Sequence, residues 1–354
     1  MNDDYLLFAS ERYALPILQP LADALQARGH RAHAWLLDGA LGARLAPSVG
    51  VVESPRAAVA LRPRAVFSAA NWVPPFVAGA KVQVFHGFNA RKREPARGHF
   101  RVRGLFDLYC THGPSTTAPF AAMAKAQGHF KVVETGWPKL DPLFRGDDPL
   151  AGRLRLAAAG RPVVLFASTF TERLSAAPHL LDAIRAEIDT GGRYWLLTLH
   201  PKCGPEIVAR YRALAGANAA FVEPEQLVSA ERAADVLVAD TTSVVPEFIV
   251  QHKPVVTFRH REPSPCLLDF DDPAQLGVML QRASDPSPQL MAELVAEARD
   301  LHPWHDGRAS ERVLNATDAL LAGRLGPLRG APAGARLRAL QIRQRLGYWG
   351  LGAR

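Results

Sequence analysis

Short apolar runs alternate with helix-length amphipathic stretches along nearly the whole chain. Runs at 5–9, 32–37, 49–52, 65–69, 82–85, 108–111 and 132–134 read as strands, with helical patterns such as 16–28 and 116–127 between several of them. The pattern restarts after Asp147-Asp148-Pro149 and a short helix, with strands at 162–166, 194–199, 220–222, 236–239 and 255–258. Helices near 177–189, 204–215 and 243–252 separate these, and from 273 to 322 the chain reads as helices only. Strands that regularly alternate with helices form parallel sheets covered on both faces. The pattern therefore predicts an α/β protein of two doubly wound, Rossmann-like domains, at 1–146 and 147–322. A Pro/Gly-rich stretch, 326–334, lies within a separate tail, 323–354. Two such domains predict a deep central cleft where the strands' carboxyl ends face each other.

A length of 354 residues is enough for two domains with their own cores, and 48% apolar with 21% charged residues excludes disorder and fibrous repeats. No window holds 18 consecutive apolar residues, and the acidic start Met1-Asn2-Asp3-Asp4 is unlike a signal peptide. Cys110, Cys203 and Cys266 lack C-x-x-C spacing, which suits a reducing cytoplasm without a disulfide framework.

The net charge of +8 points to nucleic acid until it is located. Residues 323–354 carry seven arginines and no acid, so the rest of the chain is left with about +1. Leu337, Leu340, Ile342, Leu346, Tyr348 and Trp349 are interleaved with those arginines. Such a segment suits an anionic membrane surface, or a helix packed on the body with a charged face to water. No aromatic nucleic-acid motif accompanies it.

The chain has no G-x-G-x-x-G after its first strand, no G-x-x-x-x-G-K-[ST], no H-E-x-x-H and no G-x-S-x-G. Dinucleotide, P-loop, zinc-protease and serine-hydrolase sites are thereby disfavoured. Two histidines stand out instead. His86 ends the run Val82-Gln83-Val84-Phe85 and precedes Gly87, a residue free to turn sharply, with Arg91-Lys92-Arg93 just beyond. His200 leaves the strand Leu196-Leu197-Thr198-Leu199 before Pro201 and Lys202. One imidazole at a strand end is as readily structural as catalytic, but one per domain favours proton transfer or phosphate contact.

The strand 236–239 runs into Asp240-Thr241-Thr242-Ser243, and Pro246 requires the next helix to start near 243–245. Hydroxyls and main-chain N–H groups at a helix start form a phosphate site, although a plain N-cap by Thr242 or Ser243 reads equally well. Asp240 beside an anion site suits an orienting role or a sugar hydroxyl. His305-Asp306-Gly307-Arg308 reads alone as a turn and cap, and Gly136-Trp137-Pro138-Lys139-Leu140-Asp141 as a turn.

In order, V-F-H-G with basic residues, G-W-P-K-L-D, L-H-P, A-D-V-L-V-A-D-T-T-S-V, K-P-V-V and H-D-G-R-A-S-E-R-V span roughly residues 80 to 315. This series resembles the CDP-glycerol glycerophosphotransferase family, the teichoic-acid primases and polymerases of GT-B fold. The resemblance implies transfer of glycerol phosphate from CDP-glycerol to an acceptor hydroxyl, with release of CMP. It implies His86 as the base and His200, with Thr242 and Ser243, at the donor phosphates, and Lys202, Asp240, Thr241 and Glu247 are further donor-site or phosphate-binding candidates beside them. Arg91, Lys92, Asp306 and Arg308 are further candidates. No cofactor is firmly implied, no metal site is visible, and Mg²⁺ can arrive with the nucleotide. The implied partners are a lipid-linked or polymer acceptor and the inner face of the cytoplasmic membrane.

The chain departs from the family's D-Y-S-S at Asp240-Thr241-Thr242-Ser243. It also shows Ser168-Thr169-Phe170-Thr171 where the family has P-T-x-R, with Arg173 two residues late. A GT-B glycosyltransferase using a nucleotide sugar and a catalytically silent GT-B binding module are the alternatives.

Overall fold

A computed structural model describes residues 3–38, 46–88 and 102–350. The chain forms two compact units, residues 1–144 with 301–354, and residues 145–300. The first unit has seven strands, β1 (Asp4–Ala9), β2 (Arg31–Leu36), β3 (Gly50–Val51), β4 (Ala65–Ser68), β5 (Ala80–Gln83), β6 (Leu108–Thr111) and β7 (Lys131–Glu134). All pair in parallel, in the order β3-β2-β1-β4-β5-β6-β7. Helices α1 (Leu15–Ala27), α2 (Pro55–Leu61), α3 (Pro114–Gln127) and α4 (Asp141–Phe144) belong to this unit.

The second unit begins with α5 (Pro149–Ala157). Its strands are β8 (Val163–Ser168), β9 (Tyr194–Leu199), β10 (Ala219–Phe221), β11 (Val236–Ala239), β12 (Val255–Phe258) and β13 (Leu267–Phe270). They pair in parallel in the order β10-β9-β8-β11-β12-β13. Between and after them run α6 (Ala177–Asp189), α7 (Pro205–Arg212), α8 (Leu227–Ala233), α9 (Val244–Ile249), α10 (Leu276–Ser284) and α11 (Pro288–Leu301). Strands such as β8 and β9 are buried at every position, as a sheet covered on both faces requires. Leu180, Leu181, Ile184 and Ile188 put the apolar stripe of α6 onto that sheet.

Strand order reverses direction between β1 and β4 in the first unit and between β8 and β11 in the second. At such a switch point the loops leave in opposite directions and open a crevice at the carboxyl ends.

Two expectations change, and the tail takes one of the two forms expected of it. The division falls at 144/145, and residues 301–322, expected in the second domain, return to the first unit with the tail. The return is fixed by α12 (Ala309–Leu321), whose first N–H groups, on Ala309 and Ser310, donate to the buried Asp141 carboxylate at 2.7 and 2.8 Å. Strand β13 escapes the hydrophobic pattern because it is four residues long and half-buried at alternate positions. The tail forms α13 (Ala333–Arg345), which packs on the first unit. Ile342 is 8% exposed, the Tyr348 ring stacks on Phe76 at 4.7 Å, and Arg345 lies 4.6 Å over Trp72. Leu337, Leu340 and Trp349 stay exposed.

Removing the cap of α12 should loosen the return segment. Asp141→Ala is expected to cost about 1–2 kcal/mol, as loss of an N-cap does, seen as a lower urea midpoint for the first unit.

Candidate active site

The first unit's switch point is where His86 sits. Its Nδ1 lies 3.1 Å from the Ala69 carbonyl, just beyond β4, and its ring packs on Tyr13, just beyond β1, at 5.0 Å. A carbonyl oxygen can only accept, so Nδ1 carries the proton and the neutral ring holds its lone pair on Nε2. That is the form a general base needs. The sharp turn expected at Gly87 falls one residue before the histidine, on Phe85, with φ of 58°. A left-handed phenylalanine is strained. The buried ring offsets this by packing on Tyr109, His112 and Phe120. Phe88, also buried, wedges against His112 and Trp137 at 5.1 and 5.0 Å and ties the residues after His86 to the G-W-P turn. Arg91 and Lys92 lie outside the described residues.

In the second unit, His200 follows β9 and is exposed. Its Nδ1 accepts the main-chain N–H of Lys202 at 3.1 Å, so the neutral ring carries its proton on Nε2. Partial burial of the ring, and then the Lys202 charge, hold its pKa below the usual histidine range. At neutral pH this ring is therefore an uncharged Nε2–H donor, the reverse of His86. Phe170, in the loop after β8, packs on His200 at 4.5 Å, and the Lys202 ammonium lies 5.3 Å over the same phenylalanine ring.

Asp240 ends β11 at the switch point, fully buried. Its carboxylate accepts from Ser168 Oγ at 2.6 Å, from Thr169 N–H at 3.1 Å and from Ala176 N–H at 2.9 Å. Burial raises its pKa despite these bonds. Of the orienting role and the sugar-hydroxyl contact that the sequence suggests for Asp240, its hydrogen bonds favour the first: it anchors the β8–α6 loop.

Thr241 Oγ1 accepts the N–H of Arg261 at 2.9 Å and so fastens the β12–β13 loop. Helix α9 starts at Val244 as expected, with Ser243 at its N-cap but with no capping hydrogen bond from the side chain. The hydroxyls of Thr242 and Ser243 thus stand at the helix start without serving it. Glu247 is 2% exposed and packed inside the unit.

Asp306 and Arg308 lie in the first unit, at the entry to α12, and engage their own neighbours. Asp306 takes the Arg312 guanidinium at 2.8 Å and the Arg308 N–H at 3.0 Å, while Arg308 pairs with Glu311 at 2.8 Å. Among the described residues, no three His, Cys, Asp or Glu side chains converge as a metal ion requires. Tyr13 escaped sequence reasoning, and Ser168 and Phe170 entered it only as a departure from the family's P-T-x-R. Their signal, a place just past a strand's carboxyl end, is visible only once strand order is known.

Residues 87–261 match the family described as CDP-glycerol:poly(glycerophosphate) glycerophosphotransferase. The match begins one residue after His86 and includes His200 and 240–243. Among solved structures, the wall teichoic acid polymerase TagF superposes with a TM-score of 0.67 at 14% identity, over 92% of this chain and 91% of its own. A TagF variant soaked with CDPG superposes at 0.66 and 15% identity, over 92% and 90%. MnaA of S. aureus with UDP follows at 0.62 and 14%, over 90% and 97%. These likenesses fix the fold as GT-B. No curated protein matches the chain.

The assigned proton positions are directly measurable. Long-range ¹H–¹⁵N spectra at neutral pH should show His86 protonated on Nδ1 and His200 on Nε2. On acidification, His200 should gain its second proton only below the ordinary histidine pKa of 6.5. A δ-protonated His200 would refute its role as an Nε2–H donor.

Proposed function

We infer, from the match of residues 87–261 to the CDP-glycerol:poly(glycerophosphate) glycerophosphotransferase family, that this chain is a glycerophosphotransferase-type enzyme. We propose that it transfers glycerol phosphate from CDP-glycerol to an acceptor hydroxyl of a teichoic-acid-like or capsular polymer, releasing CMP. The observation that carries the reading is the family match, joined to two strand-end histidines held in opposite tautomers.

In this reaction the acceptor oxygen attacks the phosphorus that bears glycerol, and a new O–P bond forms. The bond from that phosphorus to the bridging oxygen breaks, and the bridging oxygen leaves with CMP. The acceptor's proton passes to Nε2 of His86. Charge on the diphosphate is met by Nε2–H of His200, the Lys202 ammonium and the hydroxyls of Thr242 and Ser243, with Arg91 and Lys92 as further cations. Phosphoryl transfer asks for positioning and charge stabilisation more than for a covalent nucleophile, and this set of side chains supplies those needs. Asp240 acts by holding the β8–α6 loop in place.

Thermal unfolding with candidate donors tests the donor. CDP-glycerol at 100 times its Kd should add about 2.7 kcal/mol of stability, whereas UDP- and GDP-sugars should add none. His200→Ala should abolish the response. His86→Ala should keep it, yet lower turnover at least ~10²-fold, as loss of a general base does. Stabilisation by a UDP-sugar and none by CDP-glycerol would favour a glycosyltransferase instead.

A further part of the proposal concerns the tail. Its seven arginines, with Leu337, Leu340 and Trp349 exposed on and just after α13, suit peripheral contact with the anionic inner face of the cytoplasmic membrane. No helix among the described residues is long and apolar enough to span one. The protein should sediment with phosphatidylglycerol vesicles and not with phosphatidylcholine ones. High salt, or Leu337→Glu together with Leu340→Glu, should release it.

A further inference from the structure

A phenylalanine that is 45% exposed, just past the carboxyl end of a central strand, is out of place as a core residue. Phe170 makes two side-chain contacts that matter. The His200 ring lies 4.5 Å away, tilted by 38°, and the Lys202 ammonium is 5.3 Å over the phenylalanine ring. The residues that flank these contacts are tied together as well. Thr169 N–H is held by the buried Asp240 carboxylate, and the Thr169 carbonyl faces Cys203 Sγ at 3.8 Å. Cys203 N–H in turn donates to the His200 carbonyl at 2.8 Å. The loop after β8 and the turn after β9 are thus joined through the Cys203 thiol and through one aromatic ring.

We propose that Phe170 is a positioning residue that orients His200 and Lys202 for the diphosphate of the donor. The inference rests on the donor site described above. With Nδ1 of His200 fixed on the Lys202 N–H, the remaining freedom of the imidazole is rotation about that bond, and a ring packed against its face removes it. Nε2–H then points one way.

The Lys202 case turns on charge. Lysine is a point charge on a flexible stem, and holding it usually takes an acidic partner. A carboxylate there would cancel the charge and repel a phosphate. An aromatic face holds the cation through the ring quadrupole and leaves its full charge for the ligand. The charge that bears on His200 is that of Lys202 in its own turn, and the contact that holds Lys202 is the Phe170 ring.

The test is Phe170→Ala beside Phe170→Tyr and Phe170→Trp, read in two ways. In the free protein, NMR titration of His200 should move up toward the ordinary histidine range in Phe170→Ala, because part of the burial that depresses it is gone. In turnover, KM for CDP-glycerol should rise about tenfold with kcat nearly unchanged, the order expected when donor binding is deprived of one ring–ring and one cation–π interaction. Both aromatic replacements should restore both values, and all three variants should melt like the parent protein.

Two results would overturn the proposal. One is Phe170→Ala without effect on either readout. The other is a raised KM with unchanged His200 titration and weakened cytidine binding, which would make Phe170 a stacking platform for the nucleobase. A parent protein that fails to turn over CDP-glycerol would remove the functional reading, and the His200 titration would still test the ring packing on its own.

Discussion

Asp240 has no contact with solvent, yet its carboxylate gathers the Ser168 hydroxyl and the N–H groups of Thr169 and Ala176 at the point where β8 and β11 part. A carboxylate taken from water is costly unless it is fully hydrogen-bonded. Even here the balance is not restored, since burial raises the pKa despite every bond that lowers it. The linkage has a definite sign. A folded-state pKa above the unfolded one means that the native state binds more protons, so stability declines as pH rises through the folded value. At neutral pH the charge therefore detracts from stability. What it secures is geometry. The loop it holds carries Phe170, and Phe170 meets His200 and Lys202.

The first unit uses the same device at another place. Asp141, buried at the end of the G-W-P-K-L-D segment, takes the first N–H groups of α12 and brings residues 301–354 back to the sheet they left at 144. Separate sequence motifs thereby become one structural joint. The G-W-P turn supplies Trp137 and, four residues on, Asp141; the H-D-G-R turn opens the helix that Asp141 caps. Phe88, two residues past His86, packs against Trp137. Residues that look like independent candidates in the sequence therefore support a single histidine.

Much of this is legible in the sequence because parallel strands are continuous apolar runs and their order along the chain is plain. Twelve of the thirteen strands among the described residues follow from that pattern, and so does the start of α9, which Pro246 confines. Other features are hidden for physical reasons. The return of residues 301–322 depends on one carboxylate meeting two amides that lie far away in sequence, and no periodicity records such a meeting. The tail's arginines read as a free basic surface, yet Arg343 and Arg345 lie over Phe76 and Trp72, because a guanidinium stacks on aromatic faces as readily as it faces water. Asp240 and Glu247 are recognisable as important acids, but their burial cannot be read from their neighbours.

The opposite tautomers of His86 and His200 follow from the partner each Nδ1 meets. A histidine whose Nδ1 faces a carbonyl must donate there and keeps a basic Nε2. One whose Nδ1 faces an amide N–H must accept there and presents a donor. The backbone group at the end of each loop thus assigns the chemistry: Ala69 O for His86 and Lys202 N–H for His200. A main-chain partner is harder to lose by substitution than a side-chain one, so the assignment tolerates change in the surrounding residues. The Thr241 position illustrates this. There the family's tyrosine is absent, and the smaller hydroxyl fastens the β12–β13 loop through Arg261 N–H, with the two ring assignments untouched.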